Sequence, residues 1–381
     1  MKKRLIFVNN REEKIKMTKI IGSPTRYIQG KGELKRLAKH ASIIGKNLSV
    51  VIDKNIKNIV LPDIEESARD LDIQLNIIDF NGECSMTEIN RIREIVKKGE
   101  SDVIVGVGGG KTHDTSKAVG YYESKPVVIV PTIASTDAPC SSLSVIYSDE
   151  GVFEKYLFLP SSPNMVLVDT QVVCNAPARL LVAGIGDALA TYYEARACER
   201  SEALNCLNGN TTKAAMALAK LCYETLLSDG VQASLAVQNH VCTKAVENII
   251  EANTYLSGVG FESGGLAGAH AVHNGLTAIE ATHSLYHGEK VAFGTLVQLV
   301  LENAPKTEIE EVIHLCQAVG LPTTLEDLNV KEVKLEEIME VAKLVCSPDD
   351  TIGNMPFEVT PDDVYAAILG ADQLGRYYKN K

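Results

Sequence analysis

Between residues 47 and 130 the hydrophobic pattern switches back and forth between two periods. Short runs rich in Val and Ile at 48–53, 73–80, 102–106 and 127–130 predict strands, and stretches such as 87–98 and 112–122 between them predict helices. Strand, helix, strand at this spacing implies a parallel sheet with helices on its faces. Residues 140–147, a turn at 149–151 and residues 153–159 predict a β-hairpin, and 165–168 one more strand. After Pro177 the β-rich runs fade and Ala, Leu and Glu become frequent. Residues 183–199, 211–228, 231–255, 287–303, 307–319, 335–346 and 361–378 all predict helices. The expected division is a polar extension at 1–16, an α/β part at 17–177 and an all-helical part at 178–381.

Length and charge narrow the class. A chain of 381 residues exceeds one ordinary core, so two domains are expected. Thirty-eight basic against 49 acidic side chains leave a net charge of −11, which repels phosphate backbones and anionic lipid and argues against nucleic acid or a membrane as partner. No apolar run approaches the ~18–20 residues of a membrane span, and the apolar stretch at 5–8 is far shorter than a signal h-region of ~7–15 residues. The nine cysteines include no C-x-x-C pair, so reduced thiols in a cytoplasmic protein are expected.

Three segments carry candidate chemistry. Residues 102–117, DVIVGVGGGKTHDTSK, run from a buried strand through three glycines into a helix. Glycines there let backbone N–H groups approach an anion, and the helix N-terminus adds partial positive charge. Val105 breaks the Walker A pattern, and Lys111 stands where G-x-G-x-x-G needs its last glycine. A dinucleotide site also needs a ribose reader. Asp53, at the end of the 48–53 strand, could accept ribose hydroxyls and would repel a 2′-phosphate, favouring NAD over NADP; the alternative is an ordinary turn aspartate.

Four of the eight histidines crowd into 270–287: His270, His273, His283 and His287. Neutral imidazoles suit zinc or iron, and a catalytic site commonly adds a third protein ligand and leaves one position open. Asp187, in AGIGDALATYYEA, is the best carboxylate candidate, read at the start of a helix; the alternative is an N-cap aspartate with core histidines. Spacing does not say which two histidines bind. The third segment, PTIASTDAPCSSLSVIY at 131–147, is rich in small polar residues and carries one acid, Asp137. Neither it nor 257–278 contains Lys or Arg, so a neutral, hydroxyl-bearing substrate fits better than a phosphorylated one.

These segments, with APARLLVAGIGDALATYYEARAC and the run from EANTYLSGVGFESGGLAGAHAVHNGLTA to YHGEKVAFGTLVQLVLENAP, resemble the glycerol dehydrogenase branch of the iron-containing alcohol dehydrogenase superfamily over nearly all of the chain from Met17. The resemblance implies an α/β plus all-α fold, related also to dehydroquinate synthase. Its N-terminal domain would be a Rossmann-like parallel sheet and its C-terminal domain helical, with the active site in the cleft. It implies zinc, or iron or manganese, on Asp187, His270 and His287, with His273 and His283 in supporting roles. It implies NAD contacts at Asp53, Gly110, Lys111, Asp114, Thr132, Ser135, Ser141, Leu143 and Tyr147, and in the loop itself the backbone of Gly108, Gly109, Gly110 and Lys111 would anchor the pyrophosphate. Asp137 would contact glycerol, and the assembly would be a homo-octamer. Many iron-dependent members carry a histidine four residues after the aspartate ligand; here Thr191 stands there. Other vicinal diols, glycerol-1-phosphate, a dehydroquinate-synthase-like lyase and a non-catalytic NAD-binding sensor are the competing readings.

Overall fold

The computed structural model describes residues 18–381, so the extension read at 1–16 lies outside the described residues. Its strands are β1 (Arg26–Gly30), β2 (Asn47–Asp53), β3 (Gln74–Phe80), β4 (Val103–Gly108), β5 (Val127–Pro131), β6 (Leu143–Tyr147), β7 (Phe153–Phe158) and β8 (Met165–Asp169). Six of them form one sheet in the order β1–β8–β5–β4–β2–β3, every pair parallel. Strands β4, β5 and β8 are buried along their whole length, which is why VIVGVG, VVIVP and MVLVD read as unbroken apolar runs rather than alternations. Strand β1, RYIQG, escapes sequence reading because it is a half-exposed edge strand specified by its pairing with β8. The antiparallel pair β6–β7 stands apart from the sheet. It opens at Leu143, so residues 140–142, expected in the strand, are loop.

Helices α1 (Leu37–Ala41), α2 (Lys57–Ala68), α3 (Met86–Lys98), α4 (Gly110–Glu123) and α5 (Thr170–Asn175) accompany the sheet. The helical half is α6 (Ala178–Ser201), α7 (Lys213–Val237), α8 (Lys244–Glu251), α9 (Ser257–Gly264), α10 (Gly268–Leu276), α11 (His287–Leu301), α12 (Lys306–Val319), α13 (Leu335–Val345) and α14 (Pro361–Lys379). A π-helical turn, Ala252–Leu256, joins α8 to α9 without a break.

Two sequence expectations are corrected here. The break expected at 229–230 is absent: α7 runs through it, and a Cβ on Gly230 would lie 3.2 Å from Leu315 Cδ1, so this glycine serves packing rather than a turn. The chain breaks instead after Val237, where His240 takes a positive φ of 54°. Helix α6 also begins before residue 183, at Ala178. Asp187 therefore lies more than two turns inside it, not at its start.

The halves share one apolar core: Ile129, Val166 and Val168 of the sheet cluster with Leu181, Ile185 and Leu189 of α6. All nine cysteines are unpaired, and no helix among the described residues is long and apolar enough to cross a membrane.

Candidate active site between the sheet and the helices

The sheet positions the glycine loop. Strand order reverses between β2, which continues to β3, and β4, which continues to β5; crevices at such switch points receive ligands at the carboxyl ends of strands. Register places Ile52 opposite Val107 and Gly108 opposite Pro131, so Asp53, the glycine loop and Thr132 meet at one edge. A Cβ on Gly108 would lie 2.6 Å from Thr112 Oγ1 and 3.2 Å from Asp53 Cβ, so only glycine fits between them. Gly109 and Gly110 are half-buried, and a Cβ on Gly110 would meet nothing nearer than Thr136 Oγ1 at 3.9 Å. Helix α4 starts at Gly110 with its first N–H groups toward this open edge, the arrangement that binds phosphate. Asp53 Oδ1 accepts the N–H of Asn55 at 2.8 Å, a turn contact that leaves its other oxygen for a ligand. The Lys111 ammonium pairs with Glu83 at 2.6 Å and lies over the Tyr147 ring, 5.2 Å from its centre.

The loop after β5 is held from below. Thr132 N–H donates to Gly108 O at 3.0 Å. Asp114 is occupied by the Val145 N–H at 3.0 Å and the Lys117 ammonium at 2.9 Å. Lys117, fully buried, also donates to Ala138 O at 3.0 Å, to Ser141 O at 3.4 Å and to Leu143 O. The loop has no cation of its own, but a lysine from α4 lies under it, and its charge is spent on carbonyls and Asp114. Ser135 and Leu143 are half-buried, Ser141 is buried, and Tyr147 ends β6 with its hydroxyl pushed up to about 12 by burial and then by Asp114.

Glycines also bring the metal-type residues together. A Cβ on Gly288 would lie 1.9 Å from Ala183 O, and one on Gly186 would lie 2.3 Å from Gly288 O. Backbone contact between α6 and the start of α11 sets Asp187 against His287. Asp187 Oδ1 is 3.1 Å from His287 Nε2 and 3.5 Å from His270 Nε2, and one donor atom from each residue falls within 4.8 Å of the others. Asp187 is 1% exposed, and its Oδ1 is buried with no hydrogen-bond partner.

The far side of each imidazole is already engaged. His270 Nδ1 faces Glu194 Oε2 at 2.6 Å, and Glu194 Oε1 accepts the N–H groups of Ala267 and His270 at 2.8 and 2.9 Å. His287 Nδ1 faces His273 Nε2 at 3.0 Å, His273 Nδ1 faces Asn274 Oδ1 at 3.1 Å, and Asn274 in turn donates to Asp350. Both Nε2 atoms are thus aimed at one buried carboxylate oxygen. A carboxylate and two oriented imidazoles form a donor set that fits a divalent metal, and the engaged Nδ1 atoms fix ring orientation as outer partners of metal ligands do. Burial opposes charge on His270, yet Glu194 and Asp187 hold its pKa well above the ordinary range. His283 is not part of this cluster; its Nε2 bonds Thr277 O at 2.9 Å at the surface.

Asp137 joins the two sides. Its N–H donates to Asp187 Oδ2 at 3.3 Å, and Ser257 Oγ donates to its Oδ2 at 2.9 Å. Burial, and then the neighbouring Asp187, push its carboxyl well above the ordinary range.

Known proteins resemble this chain. The family described as iron-containing alcohol dehydrogenase matches residues 24–170. A glycerol dehydrogenase of Escherichia coli O6:H1 is 56% identical over 362 residues, covering 95% of this chain and 99% of its own length. The chain belongs to the iron-containing alcohol dehydrogenase family, in its glycerol dehydrogenase branch. Solved structures of this branch superpose along the chain. A probable glycerol dehydrogenase from Sinorhizobium meliloti 1021 has TM-score 0.88 at 45% identity, covering 94% of this chain and 99% of that one. Glycerol dehydrogenase from Schizosaccharomyces pombe has TM-score 0.91 at 39% identity, covering 96% and 93%.

As an iron-containing alcohol dehydrogenase the chain is an oxidoreductase, and several residues of its cleft went unread in the sequence. Glu194 follows Asp187 by seven residues on α6, so helical spacing alone could have placed it on the same face. Asn253, on the π turn, donates to Ala134 O and Leu181 O at 3.0 Å each and stitches the loop to α6. Glu262 accepts from Ser142 N and Oγ, both at 2.5 Å. Lys290, buried beside the cluster, acts on His273, and burial lowers its own pKa. Nothing in their local sequence marks Asn253, Glu262 or Lys290.

Proposed function

We propose that this dehydrogenase oxidises glycerol at C2 to dihydroxyacetone, with NAD as hydride acceptor and a divalent metal held by Asp187, His270 and His287. The observation that carries the reading is the buried, unpartnered Asp187 Oδ1 faced by two imidazole Nε2 atoms whose rings are held from behind. Zinc is our reading; the same donor set accepts iron or manganese. Bound there, the metal supplies Lewis acidity that lowers the alcohol's pKa, and NAD supplies the hydride acceptor.

The chain's own residues bind and orient. The backbone of Gly108, Gly109, Gly110 and Lys111 and the start of α4 cradle the pyrophosphate. Asp53 reads the ribose. Thr132, Ser135, Ser141, Leu143 and Tyr147 line the cofactor side, and Asp114 acts through the Val145 N–H and Lys117 that it holds. Asp137 orients a terminal hydroxyl of the substrate. We place the domain division at 177/178 and the assembly as a homo-octamer, the latter on resemblance alone.

A neutral polyol fits better than glycerol-1-phosphate or a dehydroquinate-type substrate. Lys117 is consumed by loop carbonyls and Asp114, and burial disfavours charge on Lys290. The test compares NAD reduction with glycerol, propane-1,2-diol and glycerol-1-phosphate. Glycerol is expected to exceed glycerol-1-phosphate by about tenfold or more in kcat/KM. A preference for the phosphorylated substrate would overturn the assignment.

A further inference from the structure

Three hydrogen bonds and one turn of α6 form a closed circuit through Asp137. Thr191 lies one helical turn beyond Asp187 on α6, with its Oγ1 2.9 Å from Ser257 Oγ. Ser257 Oγ lies 2.9 Å from Asp137 Oδ2, and the Asp137 N–H returns to Asp187 Oδ2 at 3.3 Å. Proton counting fixes the direction. A serine hydroxyl has one proton; when Asp137 is ionised Ser257 gives it to the carboxylate and accepts from Thr191. Both hydroxyls are 1% exposed or less, so water does not compete for them. A Cβ on the adjacent Gly258 would stand 2.9 Å from both Asp137 O and Cys140 Cβ, so α9 presses directly on the loop that carries Asp137.

From this we infer that Thr191 and Ser257 are positioning residues that set selectivity for a third hydroxyl. They fix one oxygen of Asp137 and leave the other to the substrate. Among the described residues, Ser257 is the only side chain that hydrogen-bonds the Asp137 carboxylate. The circuit also ties the substrate-orienting acid to the helix that supplies a metal ligand, so their relative position is set by α6 rather than by the loop. Chains of hydroxyls polarise one another, which strengthens the terminal bond to the carboxylate. The inference rests on the reading of Asp137 as the group that meets the terminal hydroxyl of glycerol.

The test uses full-length, metal-loaded protein and the variants Asp137→Asn, Ser257→Ala, Thr191→Val and Thr191→Ser. Each is measured with glycerol and with propane-1,2-diol, which lacks the third hydroxyl. Metal content and NADH binding are determined in parallel. Ser257→Ala is expected to lower the glycerol-to-diol ratio of kcat/KM by about tenfold, mainly through the KM for glycerol. Thr191→Val, which keeps shape and loses the hydroxyl, is expected to lower it by about threefold, and Thr191→Ser to keep it near the parent value. Metal stoichiometry and NADH affinity should be unchanged in all four. If Asp137→Asn lowers the ratio while Ser257→Ala and Thr191→Val leave it within about twofold, the inference is overturned and the glycerol reading stands. If Asp137→Asn leaves the ratio intact, the reading of Asp137 itself fails and the inference with it. Loss of metal from Ser257→Ala or Thr191→Val would also overturn it, by making the circuit a support for the metal ligands.

Discussion

The two walls of the cleft are built by different means. On the sheet side the groups proposed to meet the cofactor are mostly backbone: glycine N–H groups at a strand end and the start of α4, with Asp53 at the end of the neighbouring strand. On the helical side they are side chains, each held by another side chain behind it, such as Glu194 behind His270 and His273 behind His287. Backbone sites are insensitive to most substitutions, provided the glycines remain. Side-chain sites fail whenever a supporting partner is lost. The cofactor and metal functions should therefore separate under mutation.

The largest separation is expected from Asp187→Ala. Turnover should fall by about 10³-fold or more through loss of the metal, while NADH affinity, read by fluorescence titration, should move by less than about twofold. A glycine pair sharpens the contrast next. Gly288→Ala drives a Cβ to 1.9 Å from Ala183 O and must push α11 off α6. A thermal melt should show a loss of about 1–3 kcal/mol, and displaced ligands should cost about a hundredfold in kcat. Gly110→Ala, with 3.9 Å of room to Thr136 Oγ1, should melt close to the parent and weaken only NADH binding, by about tenfold or less.

Glu194→Gln keeps the shape behind His270 and removes the charge; equilibrium dialysis should show metal affinity lower by about tenfold. The smallest effect is expected at Asp53→Asn, which on the proposed ribose contact would lift the repulsion of a 2′-phosphate. The NAD-to-NADP preference should fall by about tenfold or less, without change in metal content.

The same contrast explains what the sequence disclosed. The glycine loop was legible because a strand, a glycine run and a helix start form a contiguous local signal, and buried parallel strands read as unbroken apolar runs. The histidine cluster was legible by crowding within a histidine-poor chain, although the spacing did not distinguish His270 and His287 from His273 and His283. The supporting partners were harder to read because they come from distant segments: Lys117 reaches the loop from α4, and Glu262 reaches Ser142 from α9. The π turn at Ala252–Leu256 has no sequence signature, and its role lies in contacts across the interface, with Asn253 on Ala134 and Thr254 beside the Tyr27 hydroxyl at 2.8 Å. Asp187 looked like a helix-start residue because the small residues around it, Gly184 and Gly186, suggest a loose N-terminus. In the structure they allow backbone contact deep inside α6.

The most direct measurement follows NADH formation from glycerol, with NADH binding by fluorescence, on metal-loaded and chelator-stripped samples of the same preparation. A backbone-built cofactor wall beside a side-chain-built metal wall predicts that stripping abolishes turnover, leaves NADH affinity unchanged, and is reversed by adding zinc back. Turnover that survives with metal shown to be absent, or NADH binding that disappears together with the metal, would contradict it.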